Sequence, residues 1–156
     1  GHVGVIPAAA GGPKGLILGP LDRFIFGEWL PRSSQPVHLV GARSDVPVWM
    51  AACDLLVVPS RWEARALVVQ EALAAGLPVV ATDVGGLPEL VSGCGSLVPV
   101  GDSAAVAAAV THLAAHPDRR AELARRARER FAQLPTSADV VSAWLERYAA
   151  VRAQSR

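Results

Sequence analysis

The segment that decides the fold begins Leu55-Leu56-Val57-Val58-Pro59-Ser60-Arg61-Trp62-Glu63. Seven residues later it continues as Glu71-Ala72-Leu73-Ala74-Ala75-Gly76-Leu77-Pro78-Val79-Val80-Ala81-Thr82-Asp83-Val84-Gly85-Gly86-Leu87-Pro88-Glu89. Two apolar β-type runs, Leu55–Val58 and Pro78–Thr82, flank a stretch of good helix formers, Ala66–Ala75. That stretch stops at Gly76, with Pro78 just beyond, the usual order of signals at a helix C-terminus. A strand, a helix and a second strand form a crossover unit, and such units build parallel sheets covered by helices on both faces.

The same alternation extends outward. Strands are expected at Val3–Ile6, Leu16–Leu18, Val37–Val40 and Ser96–Val98, and helices at Leu21–Leu30, ending before Pro31, and Val46–Cys53, entered at Asp45 and Pro47. The expected class is therefore α/β, a Rossmann-like parallel sheet in one domain spanning 1–156. After Gly101 the chain turns Ala/Arg-rich and predicts a helical tail over 103–156: Ser103–His116, capped by Asp102 or Ser103, then Asp118–Gln133 and Ser137–Val151. In Asp118–Gln133 the arginines Arg119, Arg120, Arg125, Arg126 and Arg128 fall largely off the apolar face and read as a solvated surface.

Composition excludes several classes. With 156 residues, 51% of them hydrophobic, the chain can bury one substantial core. A net charge of +1 and 5% aromatic residues give neither the field nor the stacking platforms of a nucleic-acid binder. Every apolar run is broken within a few residues, so no transmembrane segment is expected. Cys53 and Cys94 are too few and too far apart for a metal-type pair or a disulfide framework, which points to a reducing cytoplasm. Peripheral attachment of a longer parent enzyme to a membrane stays open. The opening Gly1-His2-Val3, without an initiator Met, reads as an excised domain.

The chemistry is expected where the first strand of the deciding segment ends. The helix that follows would aim its free N–H groups and positive dipole end at the carboxyl edge of the sheet, which suits a diphosphate. Glu63 then lies in the loop beside that helix and Glu71 on the helix, so one carboxylate can accept hydroxyls of a sugar and the other those of a ribose. Alone, two glutamates eight apart describe many exposed helices; the strand, loop, helix and strand restart around them favour a ligand role. Lys14, the sole lysine, sits in a Gly/Pro-rich segment and reads equally as a phosphate contact or a solvated loop residue. Gly85-Gly86 fits a tight turn at least as well as a donor contact. His38 reads as a packed strand residue, and Trp29, Trp49, Trp62 and Trp144 chiefly as core or inter-domain contacts, with a wall of the sugar pocket as the second reading for Trp62.

These motifs resemble the C-terminal domain of retaining family-4 glycosyltransferases of the GT-B fold. The likeness runs from about Leu16 to Val98. It is carried by Gly19-Pro20, by Val37-His38-Leu39-Val40-Gly41, by Ala52-Cys53-Asp54 leading into Leu55–Ser60, and by the Glu63 and Glu71 pair. The resemblance implies one half of a GT-B architecture, with an acceptor-binding N-terminal domain absent from this chain. It implies that Glu63 contacts the donor sugar in the catalytic centre and Glu71 the ribose, that backbone at Gly41, Ala42 and Arg43 meets the base, and that amides at Ala66, Leu67 and Val68, helped by Lys14, hold the diphosphate. The donor would be a UDP-, GDP- or ADP-sugar, transferred with retention and without metal or other cofactor, to an acceptor the sequence does not name.

The chain departs from that family in two places. Ala64-Arg65-Ala66 replaces a Gly-Phe-Gly-like run, and residues 1–15 look like an irregular or truncated first unit. Such a fragment is expected to be inactive alone and, with Trp144, Leu145 and Tyr148 exposed, prone to self-association. Two other readings compete. One is a non-catalytic Rossmann-like remnant or interaction module; the other, a dinucleotide-dependent oxidoreductase, lacks a G-x-G-x-x-G after the first strand.

Overall fold

The computed structural model describes residues 3–6, 15–18, 37–39 and 44–154. The helix expected at Leu21–Leu30 and the positions Lys14, Trp29, Gly41, Ala42 and Arg43 lie outside the described residues. Six strands are described: β1 (Val3–Ile6), β2 (Gly15–Leu18), β3 (Val37–Leu39), β4 (Leu55–Val58), β5 (Val79–Thr82) and β6 (Gly95–Val98). They form one sheet in the order β3-β2-β1-β4-β5-β6, the strand order of a doubly wound Rossmann sheet. The fold is α/β, as the alternation of strand and helix signals predicts.

Direction adds one feature. β4, β5 and β6 are mutually parallel, as are β2 and β3, but β1 runs antiparallel to both β2 and β4. Residues 7–14 explain this: a parallel crossover needs about a dozen residues or more, so so short a link returns the chain antiparallel.

The described helices are α1 (Val46–Ala51), α2 (Leu67–Ala75), α3 (Leu87–Val91), α4 (Ser103–Ala115), α5 (Pro117–Ala132) and α6 (Ser137–Gln154). Side chains alternate across a strand, and β4 and β5 are buried on both faces. Leu56, Val58, Val79 and Ala81 pack with Met50, Val69, Leu73, Leu87 and Ala127 on one side, while Leu55 and Val80 pack with Val98, Leu113 and Leu123 on the other. Each fully buried leucine contributes about 1.5–3 kcal/mol. Gly76 ends α2 at φ +71°, with the Leu77 N–H donating to the Ala72 carbonyl. Pro78 then restarts the chain as a strand.

α5 reaches both clusters through Leu123 and Ala127, and its arginines do more than face solvent. Arg119 and Arg125 do lie on the solvated surface, where they pair along the helix with Glu122 and Glu129. Arg120, however, donates to the carbonyls of Leu113 (2.6 Å) and Ala114 (2.8 Å) at the end of α4. Arg126 reaches Gly93 as well as Glu122, Arg128 reaches Ala75 at the end of α2, and Arg130 donates to Glu89 in α3 at 2.7 Å. Helix C-termini expose unpaired carbonyls and the negative dipole end, and guanidinium groups answer both. A sequence periodicity shows which face a residue occupies, not how far a long side chain reaches.

α6 buries none of its residues. Thr136 and Asp139 cap its start reciprocally: Asp139 accepts from the Thr136 N–H and hydroxyl, and the Asp139 N–H donates to Thr136 Oγ1. Val141, Trp144, Leu145, Tyr148 and Val151 are exposed, with Arg147 over the Trp144 ring at 5.5 Å. Among the described residues no helix is long and apolar enough to cross a membrane, and no His/Cys/Asp/Glu group could hold a metal.

Arg120→Ala removes two charge-assisted bonds from a part-buried site and is expected to lower stability by about 2 kcal/mol in urea unfolding. Arg125→Ala, which breaks an exposed i,i+4 pair, is expected to cost about 0.5 kcal/mol or less. Equal losses would show that the carbonyl contacts contribute nothing special. Burial, with the Asp54 charge second, pushes the Cys53 thiol up to about 11, and burial raises Cys94 as well. Both thiols should therefore be alkylated far more slowly at pH 8 in the folded protein than in denaturant.

Candidate functional site

β4 and β5 run parallel, so Pro59 and Asp83 leave the sheet at the same carboxyl edge. The loop that follows β4 carries Arg61, Trp62, Glu63, Ala64 and Arg65 and leads into α2. It is tied to the end of β5. Thr82 Oγ1 donates to the Ser60 carbonyl at 2.6 Å and lies 3.4 Å from that of Val58. The Gly86 N–H donates to the Glu63 carbonyl at 3.1 Å. A Cβ built on Gly85 would stand 1.7 Å from the Glu63 carbonyl oxygen, and one on Gly86 2.1 Å from that of Ala64. With φ +56° at Gly85, both positions require glycine. The Gly-Gly pair is thus a turn packed on the Glu63 loop.

α2 starts at Leu67, one residue later than its sequence pattern predicts, with Ala66 as an extended N-cap at φ −72°, ψ 101°. Ala66 has no side-chain acceptor to give, and the first turn carries no acidic residue. Val69 and Gln70 donate to the Ala66 carbonyl, and Leu67 is 69% exposed. The other helix starts are handled differently. α4 is capped by Asp102, whose carboxylate accepts from the Ala105 N–H at 2.8 Å, and α6 by Thr136 and Asp139. α1, α3 and α5 place a proline at their first positions, which removes an N–H that would need a partner. Among the described helices, α2 alone begins with neither device.

Of the predicted site residues, Glu63, Ala66, Leu67, Val68 and Glu71 share this loop and helix start. Glu63 is half-buried, whereas Glu71 is exposed just over one turn into α2. Trp62 is 75% exposed and so lacks the packing role favoured for it, Trp144 is exposed as expected of that helix, and Trp49 packs against the core. Sequence reasoning did not single out Thr82, whose only signal was a hydroxyl closing a buried apolar strand. It also missed α3, whose five residues show only as Leu87-Pro88 behind the Gly-Gly turn.

A cavity of about 220 Å³ opens on the other side of the same edge, between Pro59, Arg61 and Thr82 and the start of α4 at Gly101, Asp102 and Ser103. Among the described residues the edge therefore combines a helix start without a side-chain cap and a neighbouring hollow lined by a guanidinium, a carboxylate and two hydroxyls.

Residues 16–116 match the family model described as "Glycosyl transferases group 1". The chain belongs to the group 1 glycosyl transferases. It is 42% identical over 117 residues to the D-inositol 3-phosphate glycosyltransferase of Saccharomonospora viridis, a match covering 72% of this chain and 27% of the relative. It is 51% identical over 57 residues to the lipopolysaccharide core biosynthesis mannosyltransferase LpsB of Rhizobium meliloti, covering 36% and 16%. Among solved structures, the sucrose-phosphate synthase of Thermosynechococcus elongatus superposes with a TM-score of 0.77 at 31% identity, over 89% of this chain and 38% of that one. Anabaena HepE in complex with UDP-glucose superposes with a TM-score of 0.65 at 29% identity, over 75% and 33%. The chain thus spans between 16% and 38% of the length of these proteins.

As a group 1 glycosyl transferase domain, the chain keeps the sheet edge and the Glu63–Glu71 segment within the matched region. The uncapped start of α2 makes a direct prediction. Ala66→Ser supplies the missing acceptor at a position with N-cap geometry, and should raise stability by about 1 kcal/mol in thermal or urea unfolding. An unchanged midpoint would mean that those N–H groups gain nothing from a cap.

Proposed function

We propose that this chain supplies the nucleotide-sugar-binding domain of a retaining, metal-independent glycosyltransferase of the family-4, GT-B type. The observation that carries the reading is the start of α2: an uncapped helix N-terminus at the carboxyl edge, with no acidic residue in its first turn, beside the half-buried Glu63. A diphosphate accepts from the Leu67 and Val68 N–H groups there, and the helix dipole offsets part of its charge. Glu63 accepts hydrogen bonds from hydroxyls of the donor sugar, and Glu71 from those of the ribose. Gly41, Ala42 and Arg43 receive the base, and Lys14 adds a cation at the phosphates. As the sugar–phosphate bond breaks, the amides and Lys14 stabilise charge growing on the leaving diphosphate, a role given to a metal ion in other transferases. The phosphate leaves from the face the acceptor enters, so configuration is retained without a protein nucleophile.

The acceptor site belongs to a further domain, so the chain alone binds donor but does not turn over. The complexes of Anabaena HepE with UDP and with UDP-glucose support a sugar nucleotide as the ligand. One observation favours the alternative of a non-catalytic remnant: the antiparallel β1 stands between β2 and β4, the position from which a doubly wound sheet normally sends its first crossover.

Titration with UDP, GDP, ADP and their sugar conjugates, by calorimetry and thermal shift, with and without Mg²⁺, separates the two. Saturable stabilisation by one nucleotide, equal without Mg²⁺, is expected. Glu71→Ala should weaken that nucleotide by at least about tenfold while leaving the unfolding midpoint in place. Absence of binding by the whole panel would leave the remnant reading.

A further inference from the structure

We propose that Thr82 and the Gly85–Gly86 turn are the positioning device for Glu63, setting where its carboxylate meets the donor sugar without themselves touching the ligand. The inference rests on the donor-site reading above and adds residues from another strand to it. Side-chain packing does not hold the Glu63 loop: Arg61, Ala64 and Arg65 are exposed, and Trp62 is 75% exposed. Among the described residues, the hydrogen bonds that hold it come from the end of β5 and the turn after it. The Thr82 hydroxyl, on a residue only 2% exposed, donates to the Ser60 carbonyl at 2.6 Å, three residues before Glu63. The Gly86 N–H then donates to the carbonyl of Glu63 itself, at 3.1 Å.

At the second anchor and just after it, the carbonyls of Glu63 and Ala64 lie against glycines whose missing Cβ atoms make the approach possible. A methyl group at Gly85 would have to displace the Glu63 carbonyl oxygen, 1.7 Å from where it would stand, and with it the direction of the side chain. α2 is less exposed to such a shift. Val69, Ala72 and Leu73 anchor it in the core, so its first-turn amides keep their place when the loop moves. The two halves of the donor are thereby controlled separately, the sugar through β5 and the diphosphate through α2.

The test is the difference in affinity between a nucleotide and its sugar conjugate, measured by calorimetry with UDP and UDP-glucose and, in parallel, GDP and GDP-mannose. Glu63→Ala sets the full loss of the sugar's share. Thr82→Val, which keeps shape but deletes the hydroxyl, is expected to weaken the sugar nucleotide by about three- to tenfold with free nucleotide affinity unchanged, and Thr82→Ser to restore it. Gly85→Ala should do the same more strongly. Should it fail to fold, Thr82→Val and Thr82→Ser decide the matter. An unchanged ratio in Thr82→Val, or an equal loss for nucleotide and conjugate, overturns the positioning role while leaving the donor site standing. If no wild-type binding is found, or Glu63→Ala leaves the ratio unchanged, the donor reading falls and this inference with it.

Discussion

The close approach of the Gly85–Gly86 turn to the backbone of Glu63 and Ala64 is the constraint on which the carboxyl edge depends. Carbonyl oxygens lie 1.7 and 2.1 Å from where side chains would begin, so the two loops are in contact along their main chains, with no side chain between them. That contact fixes how far the exit of β5 stands from the exit of β4. The first loop leads into α2 and the second into α3, so the placement of two helix starts relative to the sheet follows from it. Thr82 adds a hydrogen bond at the base of the same junction. A constraint made of backbone tolerates wide change in Trp62, Arg61 and Arg65, whose side chains are in solvent, and none at the glycines.

The opposite ends of the helices are governed by α5. Arg128 reaches the last residue of α2, Arg130 and Arg126 reach Glu89 and Gly93 around α3, and Arg120 reaches the last turn of α4. The negative ends of the helix dipoles are met by fixed cations, while the start of α2 carries no such compensation. The separation has an electrostatic consequence. An anion arriving at the edge meets the positive end of α2 without competing carboxylates in its first turn, and the cations that balance the fold stand at the far end. α5 holds these positions because Leu123 and Ala127 anchor it to the cores on both sides of the sheet.

How much of this could be read from sequence depended on whether a feature is local. β4, α2 and β5 came out nearly residue for residue, because apolar runs, Gly76 and Pro78 are signals that act on their own segment. The antiparallel direction of β1 was within reach of a length argument on residues 7–14, but an apolar run has no direction and pattern reading supplied none. α3 is too short to show a period. The solvated-surface reading holds for Arg119 and Arg125 and fails for Arg120, Arg126 and Arg128, which reach carbonyls 6 to 53 residues away. The candidate site divides along the same line: the loop position of Glu63 and the helix position of Glu71 follow from one contiguous stretch of sequence, whereas Thr82 acts on Ser60 across 22 residues.

What singles out α2 is a local rule broken in a protein that elsewhere keeps it. Asp102 and Thr136 cap their helices, and Pro47, Pro88 and Pro117 relieve theirs, yet Ala66 offers the start of α2 no side-chain acceptor. Exposed N–H groups cost little while water accepts from them. Two polar groups nearby are not so placed: Ser60 Oγ and Gln70 Nε2, one in the loop before the helix and one in its opening turn, are buried with no hydrogen-bond partner among the described residues. Unsatisfied groups on both sides of a bare helix start are hard to explain as an optimum for folding alone. Violations of this kind gather where a sequence has been held to a task other than stability, and here they gather beside Glu63, at the edge where an open α/β sheet takes its ligands.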